Sequence, residues 1–180
     1  EGAHQLDTWT QNSTATLRNF WNLNVRSTIN LPSVDDAVTR GGPYMGLPRE
    51  FRQEFRVNNP YGAKTGWRLN GGYGVDEFGA WRRSVSGQIT LRPSPRVSVS
   101  VEPTLQSGTE PRQYVTRIVG GTRTYGNRYV FAFIDRTTIS TKLRANYAFS
   151  PNLSLEAYAE PFVATGHYSR MGELSAPRSR

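Results

Sequence analysis

The side chains that could do chemistry are few, and their spacing argues against most reactions. Glu50 and Glu54 fall on one face of a segment with strand periodicity, as a general acid–base pair would. Arg52 lies between them on that same face, so an ion-pair ladder is the better reading. Asp35-Asp36 could touch calcium, but one acidic pair in a loop supplies too few oxygen ligands and reads as a turn. His4 and His167 are the only histidines and cysteine is absent, so no conventional zinc set can be assembled. Gly66, Gly71, Gly72 and Gly74 resemble a phosphate-cradling loop only in composition. They sit inside a two-residue rhythm and precede no helix, which points to sheet curvature or close backbone approach. There is no nucleophile elbow and no supported Ser/His/Asp grouping. The expectation is a non-enzyme with no catalytic residues, no metal and no cofactor.

The elements that must carry these residues are strands. From Trp81 to Leu91 apolar residues take most odd positions and polar residues the even ones, the period of a strand with one greasy and one wet face. The pattern recurs in Ala15–Asn30, Arg49–Asn58, Lys64–Val75, Arg96–Leu105, Arg136–Phe149 and Leu153–Val163. The apolar set is Trp21, Leu23, Val25, Phe55, Trp67, Leu69, Val85, Ile89, Leu91, Val97, Val99, Val101, Ile139, Leu143, Tyr147, Leu153 and Leu155. The opposite set carries Arg18, Arg26, Arg52, Arg56, Arg68, Arg82, Arg96, Arg136, Lys142 and Arg144, with Glu50, Glu54, Glu102, Glu156 and Glu160. Gln53 and Arg83 are misfits on the apolar side.

The connections alternate in length. Asn59-Pro60-Tyr61-Gly62, Pro93-Ser94-Pro95 and Ser150-Pro151-Asn152 are tight turns; Leu31–Pro48 and Gln106–Asp135 are long, with Asp76–Ala80 a brief exception. The second long stretch holds strand-like pieces, Tyr114–Val119 and Arg128–Ile134, around a glycine-bounded hairpin. A faint repeat joins Ser94-Pro95-Arg96-Val97 to Ser150-Pro151-Asn152-Leu153, each followed by a Glu-Pro.

With 36% hydrophobic residues and a mean hydropathy of −0.59, the chain has no run of ~20 apolar residues for a spanning helix. A membrane β-barrel needs only alternate residues to be apolar, and it pairs short turns at one end with longer loops at the other. The net charge of +8 raises a nucleic-acid partner, but the arginines are spread along strands without a basic run or recognition motif, so none is expected. The chain begins Glu1-Gly2-Ala3, shows no signal peptide, and reads as an internal fragment.

Asn19-Phe20-Trp21-Asn22, Val34-Asp35-Asp36, Thr39-Arg40-Gly41-Gly42-Pro43, Trp81-Arg82-Arg83-Ser84, Leu91-Arg92-Pro93-Ser94-Pro95, Gln113-Tyr114-Val115-Thr116, Tyr125–Ala132, Ser150–Leu155 and Glu173–Arg178 form an ordered series. That series resembles the carboxy-terminal barrel of large bacterial envelope proteins whose amino-terminal module is similar to family-9 carbohydrate-binding domains. The resemblance implies an outer-membrane location and glycan binding by the amino-terminal module, which this chain lacks. It supplies no catalytic residues.

The expectation is therefore all-β: an antiparallel up-and-down transmembrane barrel, incomplete, with at least seven strands. Residues 1–14 are expected as loop or strand end, 15–165 as barrel and 166–180 as loop or truncated end. The charged set would line a wet lumen and the apolar set would face lipid. Expected partners are outer-membrane lipid and the remaining strands of the barrel. The expected role is structural or passive transport; a soluble lipocalin-like or sandwich protein binding a small ligand or carbohydrate is the alternative.

Overall fold

The computed structural model describes residues 7–60 and 63–179. His4 and the second half of the Asn59–Gly62 turn lie outside them. The described residues form an all-β protein without α-helix. Its long strands are β1 (Thr8–Thr16), β2 (Asn22–Asn30), β5 (Glu50–Asn58), β6 (Thr65–Asp76), β7 (Trp81–Ser94), β8 (Val97–Val119), β9 (Asn127–Ser150), β10 (Leu153–Ala159) and β11 (Phe162–Glu173). Two short strands, β3 (Ser33–Asp35) and β4 (Met45–Leu47), pair separately around a 3-10 turn at Ala37–Thr39.

The long strands make one antiparallel meander in the order β1-β2-β5-β6-β7-β8-β9-β10. β10 and β11 share a single position on β9, pairing with Leu143–Ser150 and Val130–Ser140 respectively. The break between them falls at Glu160-Pro161, where proline has no N–H for the ladder; its carbonyl still accepts the Thr141 N–H at 3.1 Å. The eight strand positions do not close: among the described residues β1 and the β10/β11 position each leave an outer edge unpaired.

Four expectations about boundaries change. Ala15–Asn30 is not one strand: the chain reverses at Leu17–Trp21, with Phe20 at φ 62 and the Asn19 side chain accepting the Trp21 N–H at 3.2 Å. The apolar alternation runs on through this turn, so periodicity alone does not reveal it. Residues 8–14 belong to a full strand, because its polar side chains bond across to β2: Asn24 to Thr14 at 3.0 Å and Arg26 to Asn12 at 2.9 Å. Residues 166–173 continue β11 instead of forming a loop, held by pairing with β9. Gln106–Asp135 is also mostly strand. β8 and β9 run 23 and 24 residues and extend beyond β7 as a hairpin whose tip turns at Gly120 (φ 125) and Gly126 (φ 79).

The only buried apolar cluster among the described residues sits on that extension. Met45, Tyr129, Phe131 and Leu174 pack together with Val38 and Tyr114 against them. The final segment is tied there by Arg178 N–H to Tyr44 O at 2.6 Å and Gly46 N–H to Ser179 O at 2.9 Å. The rest of the sheet is a single layer without a core. The total accessible surface of the chain is 12,221 Å², against about 8,800 Å² for a compact monomer of this mass.

Candidate functional site: the two faces of the sheet

Register sorts the side chains into rows across the sheet. One apolar row runs Val25–Phe55–Gly71–Val85–Leu105–Ile139–Val163, one residue from each successive strand. Gly71 belongs in it: a Cβ there would overlap the Phe55 ring, which lies across the glycine and fills its place. Towards the short turns follow Leu23–Val57–Leu69, Trp67–Ile89–Val101–Leu143, Leu91–Val99–Ala145–Ala157 and Val97–Tyr147–Leu155. Edge-on aromatic pairs mark this margin, Trp21 with Trp67 at 4.8 Å and Tyr147 with Phe149 at 4.6 Å.

These residues do not pack into a dry centre. Val85 is 53% exposed, Ile89 51%, Val99 45%, Leu143 42% and Leu155 58%. A soluble sandwich or filled barrel would bury this face.

The misfits Gln53 and Arg83 fall into register with each other. Their row is Ser27–Gln53–Tyr73–Arg83–Ser107–Thr137–Thr165, polar from end to end. Ser27 donates to Gln53 at 2.7 Å, and the Ser107 and Thr137 hydroxyls lie 3.1 Å apart. The row lies on the side of the apolar band away from the short turns. Beyond it Trp9, Ile29, Phe51, Val75 and Trp81 make a further row.

The opposite face is mostly polar, with Ile134 and Phe162 as apolar members. Of the charged residues expected on it, Arg18 and Arg96 fall in turns instead, since the strands end before them. Glu160 falls in the break between β10 and β11, and the others lie on strands. Arg52 and Glu50 pair at 2.8 and 2.9 Å, and Asn30 adds a bond to Glu50 at 3.0 Å. The ladder stops there, because Glu54 registers with Arg26 and not with Arg52. Arg56 donates to Asn70 at 2.9 Å, Glu102 faces Lys142, Glu156 faces Asn146, Arg68 faces Asn58, and Arg144 lies over the Tyr158 ring, whose hydroxyl donates to Glu160.

One row of this face alternates arginine and glycine: Arg52–Gly74–Arg82–Gly108–Arg136–Gly166. The stems of Arg52 and Arg82 lie 3.4 and 3.2 Å from where a Gly74 Cβ would sit. Sequence periodicity identifies each arginine but not the row, which exists only once register is known.

At the long-loop end Asp76 and Arg112 form a buried ion pair of 2.6 Å, their side chains 3% and 16% exposed. Asp76 also accepts the N–H groups of Phe78 at 2.8 Å and Ala80 at 2.9 Å, closing the β6–β7 turn. The pair joins residues 36 apart, and neither carries a sequence signal for the other. Among the described residues no three His, Asp or Glu side chains are grouped as a metal would need.

Comparison of the chain with protein-family models, curated proteins and solved structures finds no match.

Proposed function

We propose that this chain is part of a bacterial outer-membrane β-barrel, a structural or passive-transport element whose arginine-rich polar face lines a wet lumen. The observation that carries the reading is the band of exposed apolar rows bounded by one continuous polar row. Five rows two residues apart span about 27 Å along the strands, or about 20 Å at a tilt near 40°. Side chains at either margin extend this towards the ~25 Å apolar belt of such barrels. Arg83 then sits at the edge of the hydrocarbon, where snorkelling is cheap, and not within it. Aromatic residues at both margins fit interfacial girdles.

The unpaired edges of β1 and β10/β11 cannot stand in lipid, so further strands complete the wall. The resemblance to envelope barrels with a family-9-like carbohydrate-binding module supports the same location and suggests that glycan recognition lies outside these strands. The test is extraction and gel mobility of the protein. The expected result is that it needs detergent to stay dispersed and migrates faster unheated than boiled. A monodisperse, detergent-free protein with a single mobility overturns the proposal in favour of a soluble binding module.

A further inference from the structure

We infer that the polar face carries an oxyanion seat between Arg82 and Arg136, taking a small solute by its carboxylate or phosphate group. This rests on the proposed reading only in treating that face as the wetted one. In the arginine–glycine row, arginines occupy every second strand and so stand about 10 Å apart, with no side chain between them.

The two gaps differ. Over Gly74 the stems of Arg52 and Arg82 close in, and Arg52 is already held by both oxygens of Glu50. Over Gly108 the nearest atoms to an added Cβ are the Trp81 carbonyl oxygen at 2.5 Å and Cα and Cβ of Arg82 at 3.1 and 3.2 Å, so the strand backbones approach closely and no outer part of an arginine side chain is among them. The Arg136 side chain makes no hydrogen bond or ion pair among the described residues, and Arg136 is not one of those with further contacts. The Glu110 oxygen nearest Arg82 is 4.0 Å away, beyond hydrogen-bond reach, and Glu110 is shared with Arg112 at 3.9 Å. A groove of about 460 Å³ opens here, lined also by Ser84, Gln106 and Thr138, with Glu54 and Glu110 as its acidic members.

Arg136 has no carboxylate partner and Arg82 has only the long ion pair to Glu110, so both guanidinium forks keep unused donors. A ligand oxyanion satisfies both, accepting charge-assisted bonds from either side and weaker ones from the hydroxyl and amide groups. Glycine at 108 is required because a side chain there would occupy the seat and collide with the Trp81 carbonyl.

The test is calorimetric titration of the detergent-purified protein at low salt with inorganic phosphate and, separately, with glucuronate. Whichever binds tighter identifies the ligand group. Arg136→Gln and Arg82→Gln should each weaken binding about 10-fold, the loss expected for a charge-assisted bond. Arg52→Gln should change it less than about 2-fold, because Glu50 already occupies that side chain. Glu110→Gln should tighten it. Arg82→Lys keeps the charge without the fork and should fall between wild type and Arg82→Gln, provided gel mobility shows it folded. Titrations of Arg136→Gln and Arg82→Gln that superimpose on wild type overturn the seat, as does an equal loss in Arg52→Gln. The measurement needs no conduction, so a protein that binds phosphate but passes no current loses the transport reading and keeps the seat.

Discussion

At the scale of single residues, the most buried ion pair among the described residues is one that the sequence does not show. Asp76 is nearly inaccessible, and its carboxylate is satisfied by Arg112 and by two turn N–H groups. Removing the cation leaves a buried charge uncompensated, which costs about 3–5 kcal/mol. Arg112→Met should therefore lower unfolding stability by that order, read from tryptophan fluorescence in urea. Arg96→Met, in an exposed turn, should stay within about 0.5 kcal/mol of wild type. Glu173 gives a pH dependence at the same end. Hydrogen bonding to Arg128 and its charge hold the Glu173 carboxyl below its ordinary value. A carboxyl depressed in the folded state stabilises above its unfolded pKa and loses that contribution as pH falls through the folded one. Amide protection factors, which correct for the intrinsic pH dependence of exchange, should fall at the end of β11 on acidification through the carboxylate range and not change between neutral and mildly alkaline pH. Arg128→Gln should abolish the dependence.

At the scale of elements, strand pairing converts scattered misfits into boundaries. Gln53 and Arg83 each spoil an alternation, yet both belong to one polar row that ends the apolar band. On the proposed reading the cost of a charge follows depth. Val85→Arg, within the band, should destabilise by about 2–4 kcal/mol, and Ser107→Arg, in the bounding row, by about 0–1. Folding titrations into lipid vesicles measure both. Equal, near-zero costs would mean that the apolar face meets water. The Phe55 ring over Gly71 shows a different dependence of one strand on another: glycine on β6 is legible as an anomaly of composition, but its reason is a side chain on β5.

At the scale of the whole molecule, two regimes meet in one chain. The hairpin extension of β8 and β9 gathers β4, the 3-10 turn segment and the final residues around a small buried cluster. The remaining sheet has no buried apolar cluster among the described residues, and the chain as a whole exposes about 40% more surface than a compact monomer of its mass. Segments Arg49–Asn58, Lys64–Val75 and Trp81–Arg92 are legible from alternation alone and lie within two residues of β5, β6 and β7. The first strand is not, because TWTQNSTAT has almost no apolar alternation and is a strand by virtue of its neighbour. β11 fails for a similar reason, its apolar and polar positions being mixed after Gly166.

What the amino-acid order determined by itself is the two-faced strand: side-chain period is a local property, set by the backbone of each segment. It also marked the short turns after β5, β7 and β9, through proline, glycine and asparagine, but not the reversal at Leu17–Trp21. Tertiary structure decided which residue stands beside which. The arginine–glycine row, the polar border, the Asp76–Arg112 pair and the open edges all depend on register between strands, and register is a non-local sum of pairings that no single segment contains.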